Sequence, residues 1–126
     1  MESYNPQPRY YNINKEPIIG KNCSLVNTLF DCAEQITIGD NVSFGHDCKV
    51  LTGSHLYTEK GAIRMLASIN KPVIIEDGVW IASGAIICQG VTIGENSVIG
   101  AGSVVTHNIP RNVLAAGNPC EIIKEI

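Results

Sequence analysis

The sequence predicts an all-β chain wound as a single-stranded, three-sided parallel β-helix. Three observations predict it: a strict six-residue period over 75–110, an earlier copy of that period over 38–55, and Gly or Asn recurring at the fourth place of each block of 75–110. Internal periods are the first thing to seek, because a repeat fixes architecture before any local propensity does.

Residues 75–110 divide into IEDGVW, IASGAI, ICQGVT, IGENSV, IGAGSV and VTHNIP. An aliphatic residue opens every block: Ile75, Ile81, Ile87, Ile93, Ile99 and Val105. The fifth place is small or aliphatic throughout: Val79, Ala85, Val91, Ser97, Ser103 and Ile109. IGDNVS, FGHDCK and VLTGSH repeat the scheme from Ile38, and IGKNCS with LVNTLF gives a weaker copy from Ile19. Each block reads as a short strand plus a corner, its opening residue aimed into a prismatic core. Gly and Asn suit the corners because they adopt positive φ at little cost. An amphipathic helix would space its apolar residues at three and four, and an alternating strand at two. Neither yields consecutive sixes.

Three sides make a coil of 18 residues. Coil one covers 19–37 with one extra residue before Ile38, coil two 38–55, coil three 75–92, and coil four 93 to about 110. Residues 56–72 break the period and read as a charged, partly helix-favouring loop insertion. Residues 1–18, with three prolines and three tyrosines, read as an irregular N-terminal arm preceding a single domain over 19–126. In the tail, Gly117 and Pro119 mark a turn, and a short C-terminal helix is expected after it. Each coil touches only its neighbours.

Charged residues are 17% of the chain, below the roughly 25% of average soluble domains, so the apolar outer sides favour association with copies of itself. A net charge of −3 without a Lys/Arg stripe argues against nucleic acid. No apolar run approaches the ~20 residues of a membrane span, and the polar start has no signal-peptide core. Cys23, Cys32, Cys48, Cys88 and Cys120 form no CxxC and no disulfide-framework spacing. They read as reduced, mostly buried thiols of a cytoplasmic protein. Only three histidines are available as bases. His55 ends the third side of coil two at LTGSH, just before the insertion, His46 occupies a corner of the same coil, and His107 lies in the last block.

The stretch VWIASGAIICQGVTIGENSVIGAGSVVTHNIPRNVLAAGNPCEIIKEI resembles the hexapeptide-repeat acetyltransferases, of the maltose/galactoside O-acetyltransferase group and its short polysaccharide-biosynthesis relatives. Its motifs are VWI at 79–81, IGAGSVVT at 99–106, NIP at 108–110 and AAGNPC at 115–120, and the likeness extends back to about Ile36. The resemblance implies a left-handed β-helix, a homotrimer with sites in clefts between subunits, and acetyl-CoA as acyl donor. The acceptor it implies is a sugar or nucleotide-sugar. Residues 1–18 carry none of the family's N-terminal helical segment, which helps shape the acceptor pocket.

Acetyl transfer needs a base for the acceptor's proton and donors facing the carbonyl oxygen as charge builds there. The resemblance gives His55 the base and Ser83 the donor. It gives Ala101, Thr106, His107 and Lys124 to the cofactor, with His107 standing where relatives carry lysine and Glu121 where they carry a cation. Arg111 is expected to compensate. Asn27 and His46 are candidates for the acceptor pocket, with Asp31, Lys60 and Arg64 behind them. Trp80, at an outward position, belongs to a subunit interface or the cofactor groove. No metal is expected: a γ-type carbonic anhydrase needs three converging histidines, and these stand 9 and 52 residues apart. The remaining alternatives are an amino-sugar N-acetyltransferase and a non-catalytic trimer.

Overall fold

The computed structural model describes residues 5–126 and winds them into a three-sided solenoid. The third side of the prism is formed by β1 (Arg9–Tyr11), β3 (Leu29–Asp31), β6 (Lys49–Leu51), β11 (Ile86–Ile87) and β14 (Val104–Val105). The first side stacks β2 (Ile18–Ile19), β4 (Ile36–Ile38), β9 (Val73–Ile75) and β12 (Thr92–Ile93). The second stacks β5 (Ser43–Phe44), β10 (Trp80–Ile81), β13 (Val98–Ile99) and β15 (Val113–Gly117), and β16 (Cys120–Glu125) closes its lower edge. Pairing is parallel between coils, with Ile38 over Ile75, Phe44 over Ile81 and Val50 over Ile87.

The block-opening residues are the core. Ile75, Ile81, Ile87, Ile93, Ile99 and Val105 are fully buried, as are Val79 and Ala85 at the fifth place. Gly or Asn at the fourth place turns the corner, with φ of +71° at Gly78 and +62° at Asn96. The third place builds a ladder between coils. Asp77 Oδ1 accepts the Asp40 N–H at 2.7 Å, Asp40 Oδ1 accepts the Lys21 N–H at 2.8 Å, and Ser83 Oγ accepts the His46 N–H at 3.0 Å. Gly39 and Gly45 stand opposite these groups because a Cβ there would collide with Asp77 Oδ1 or Ser83 Oγ.

Two of the last coil's fifth-place residues, Ser97 and Ser103, are serine for a physical reason. Nothing stacks beneath it except the returning chain, whose polar groups must be paired. Ser97 Oγ donates to the Pro110 carbonyl and accepts the Val113 N–H; Ser103 Oγ donates to the Gly100 carbonyl and accepts the Gly117 N–H.

Three segments differ from expectation. Residues 120–125 are not a helix but β16, antiparallel to β15. The turn at Gly117 and Pro119 folds the chain back along an open edge, where β-branched Ile122 and Ile123 suit a strand. An isolated helix of that length would have little to hold it. Within the N-terminal arm, β1 adds a rung to the third side, with Tyr10 stacked on Phe30 at 5.4 Å; residues 1–4 of that arm lie outside the described residues. The insertion is a hairpin arm: β7 (Gly53–His55) pairs antiparallel with β8 (Ser68–Asn70), and α1 (Gly61–Leu66) caps its tip. No helix among the described residues is long and apolar enough to cross a membrane.

Candidate active site

His55 ends β7, opposite Ser68 on β8, and is exposed on the arm rather than inside the third side itself. Its Nδ1 lies 3.3 Å from the Ala67 carbonyl oxygen. A carbonyl can only accept, so in this bond Nδ1 carries a proton, and a neutral ring then has its lone pair on Nε2. Ala67 is the C-cap residue just past Leu66, the last residue of α1. Its role lies in a backbone oxygen, which no side-chain pattern announces.

Ser83 occupies the corner between the second and third sides. Its oxygen accepts the His46 N–H, so its own O–H remains to donate elsewhere. Ala101 lies below it on the same corner, where the Gly102 N–H bonds to the Ser83 carbonyl at 2.9 Å. Asn27 and Asp47 stand above. The Asn27 side chain bonds the Asp47 backbone N–H and carboxylate in a reciprocal pair, both at 2.8 Å. That pairing gives Asn27 a corner-building role, and Asp47 is a partner the sequence reading did not single out.

Thr106 and His107 occupy the next corner, between the third and first sides, on the edge that carries the His55 arm. Thr106 Oγ1 lies 3.5 Å from His107 Nδ1, and His107 Nε2 lies 3.8 Å from Glu121 of β16. The two departures from the family pattern therefore meet each other. Arg111 sits at the remaining corner, 3.6 Å from Glu95, and Lys124 is exposed on β16. Trp80, 52% exposed, stands on the outer face of the second side between Ser43 and Val98. Asp31 and Asn70 flank Gly53 at the root of the arm, and Asn12 donates to Asp31 at 3.0 Å. Lys60 precedes α1, and Arg64 bonds within the arm's own loop.

One chain thus distributes the expected site over all three corners. From the Ser83 corner to the His55 corner is the width of the third side, about 15 Å at ~3.3 Å per residue.

Among the described residues, no group of three His, Cys, Asp or Glu side chains gathers to hold a metal ion. The five thiols form no disulfide. Burial pushes the Cys32, Cys48, Cys88 and Cys120 thiols up, which disfavours the nucleophilic thiolate.

A three-sided solenoid of six-residue blocks, with a histidine-bearing arm beside coil three, defines a class. The family model described as bacterial transferase hexapeptide (six repeats) matches residues 72–107. A hexapeptide-repeat-containing acetyltransferase of Vibrio cholerae superposes with a TM-score of 0.83 at 34% identity, over 94% of this chain and 68% of that one. The chain belongs to the hexapeptide-repeat acetyltransferase family. The galactoside O-acetyltransferase of Escherichia coli is 42% identical over 122 residues, 94% of this chain and 59% of the relative. A galactoside acetyltransferase in complex with coenzyme A gives a TM-score of 0.88 at 38% identity, over 98% of this chain and 62% of that one. The chain spans about half the length of the curated relatives it matches.

Proposed function

We propose that this chain transfers an acetyl group from acetyl-CoA to a hydroxyl of a sugar or sugar-containing acceptor, as a trimer of left-handed β-helices. The observation that carries the reading is the 3.3 Å contact of His55 Nδ1 with the Ala67 carbonyl: with Nδ1 as its donor, a neutral ring keeps Nε2 as the base. The likeness to proteins named galactoside O-acetyltransferase, and to one bound to coenzyme A, supports the donor and the acceptor class.

In this mechanism the acceptor hydroxyl attacks the thioester carbonyl while His55 Nε2 takes its proton. The carbonyl oxygen becomes an oxyanion and accepts a hydrogen bond from the Ser83 hydroxyl. The tetrahedral carbon then expels the CoA thiolate, which recovers the proton from the imidazolium. The ester and free CoA thiol leave, and His55 is neutral again. Since His55 and Ser83 of one copy lie a side apart, the reading pairs His55 of one copy with the Ser83 corner of the next.

The pantetheine arm would run along the Ala101 backbone and the Thr106–His107 corner toward the thioester. Lys124 and Arg111 are the cations available to the phosphates. Glu121 opposes them, and it lies 3.8 Å from His107 Nε2. Free thiols without disulfides suit the cytoplasm, where the reading puts the reaction.

The test is thiol release from acetyl-CoA against a panel of galactosides, glucosides, nucleotide-sugars and amino-sugars. The reading expects acceptor-dependent CoA release that falls by about 10²–10⁴ in His55→Ala. Release from amino-sugars alone, with a small His55→Ala effect, would replace the hydroxyl acceptor by an amine. No release above the His55→Ala background with any acceptor overturns the enzyme reading.

A further inference from the structure

We infer that Arg64 is a positioning residue that sets the His55 tautomer through the loop between Leu56 and Ala67. The inference rests on the reading of His55 as base. Helix α1 is six residues long, buries none of them and has no side-chain cap at Lys60. Such a helix does not persist on its own, because nucleation costs more than one turn returns. What ties it down is Arg64. Its Nε donates to the Glu59 carbonyl at 2.7 Å and its Nη2 to the Tyr57 carbonyl at 3.2 Å. One planar guanidinium thereby ties two carbonyls of the preceding turn to the helix, a geometry lysine cannot reproduce. The Leu56 N–H closes the loop on the Ala67 carbonyl at 3.3 Å, and the Ala67 N–H bonds back to Ile63 at 3.0 Å.

The Ala67 carbonyl is therefore the junction. It accepts from the Leu56 backbone and from His55 Nδ1 together. Unconstrained neutral imidazole favours its proton on Nε2, the wrong form for a base that must use Nε2. The bond to Ala67 reverses that preference only while the loop keeps its carbonyl in place. Arg64 touches neither acetyl-CoA nor acceptor in this scheme and acts through the loop.

The experiment is isotope-labelled histidine NMR of the full chain without ligand, wild type against Arg64→Gln, with Arg64→Lys alongside. In wild type the His55 ring nitrogens are expected as a protonated Nδ1 and an unprotonated Nε2. In Arg64→Gln the signals shift toward the Nε2–H form, while Arg64→Lys falls between. With acetyl-CoA and methyl galactoside, Arg64→Gln loses roughly 10-fold in kcat at little change in KM, part of the roughly 10²–10⁴ a positioned base supplies. A His55 tautomer unchanged in Arg64→Gln overturns the inference. Failure of the underlying reading looks different: His55→Ala would keep wild-type activity whatever Arg64 does to the tautomer.

Discussion

Replacing Ser83 by alanine and by aspartate separates the two jobs assigned to one hydroxyl. As an acceptor, Ser83 Oγ takes the His46 N–H at 3.0 Å, the rung that Asp77 makes to Asp40 at 2.7 Å one corner away. As a donor, in the proposed mechanism, it gives its proton to the developing oxyanion. Ser83→Ala removes both. His46 and Ser83 are exposed, so water can take over the orphaned N–H, and the stability cost is near the low end, about 1 kcal/mol. For a domain of this size that is roughly 3–5 °C in Tm. Losing an oxyanion donor costs about 10²–10³ in kcat. Ser83→Asp keeps the acceptor, as Asp77 does, but has no proton to give and sets a negative charge against the anion. It is expected to lose less stability than Ser83→Ala and more activity. The assays are thermal denaturation and CoA thiol release at saturating acetyl-CoA. A Ser83→Ala enzyme within about twofold of wild type in kcat would refute the donor role and leave only the corner. Ser83→Asp outperforming Ser83→Ala would refute it as well.

Other outcomes follow from the same structure. Ile87→Ala empties a fully buried position inside coil three and is expected to cost about 2–5 kcal/mol in denaturant unfolding. Gly39→Ala drives a Cβ into Asp77 Oδ1, for a loss on the order of 1–3 kcal/mol, and Asp77→Ser should recover part of it in a double-mutant cycle. Burial raises the Cys48 thiol above its ordinary value of 9.0, so the unfolded chain ionises first as pH rises. Stability is then fully present below pH 9.0 and declines above it, with a shallower decline in Cys48→Ala. Brief iodoacetamide treatment of the folded protein at neutral pH should leave Cys32, Cys48 and Cys120 unmodified and activity intact, as mass spectrometry and thiol release would report.

The fold was legible because its rule is local and repeated. Each block carries its own core residue, its own corner and its own small fifth place, and Ile75 through Val105 are buried as the period requires. The tail was not legible for the opposite reason. EIIKEI has no partner within its own block, and its state depends on β15, which the turn at Gly117 brings back alongside it. β1 likewise depends on Leu29–Asp31, some twenty residues later. At the site, side-chain chemistry was visible and geometry was not. His55 was singled out by type and position, but its contact with the Ala67 carbonyl involves the backbone, and Arg64 was read as a candidate for the acceptor pocket and not as a tie within the arm's loop. The pairing of Asn27 with Asp47 and of His107 with Glu121 also joins residues far apart in sequence. The distribution of Ser83 and His55 over two corners follows from counting sides, yet its meaning emerges only when a second copy is considered.

Subunit mixing tests the central claim most directly, because it asks whether transfer occurs in a site made by two copies. His55→Ala and Ser83→Ala proteins, each inactive alone, are unfolded together, refolded as a mixture and assayed for CoA release with acetyl-CoA and the acceptor. Random assembly joins an intact His55 to an intact neighbouring Ser83 at one boundary in four, so about a quarter of the wild-type rate is expected. A mixture no more active than its components would contradict a shared site.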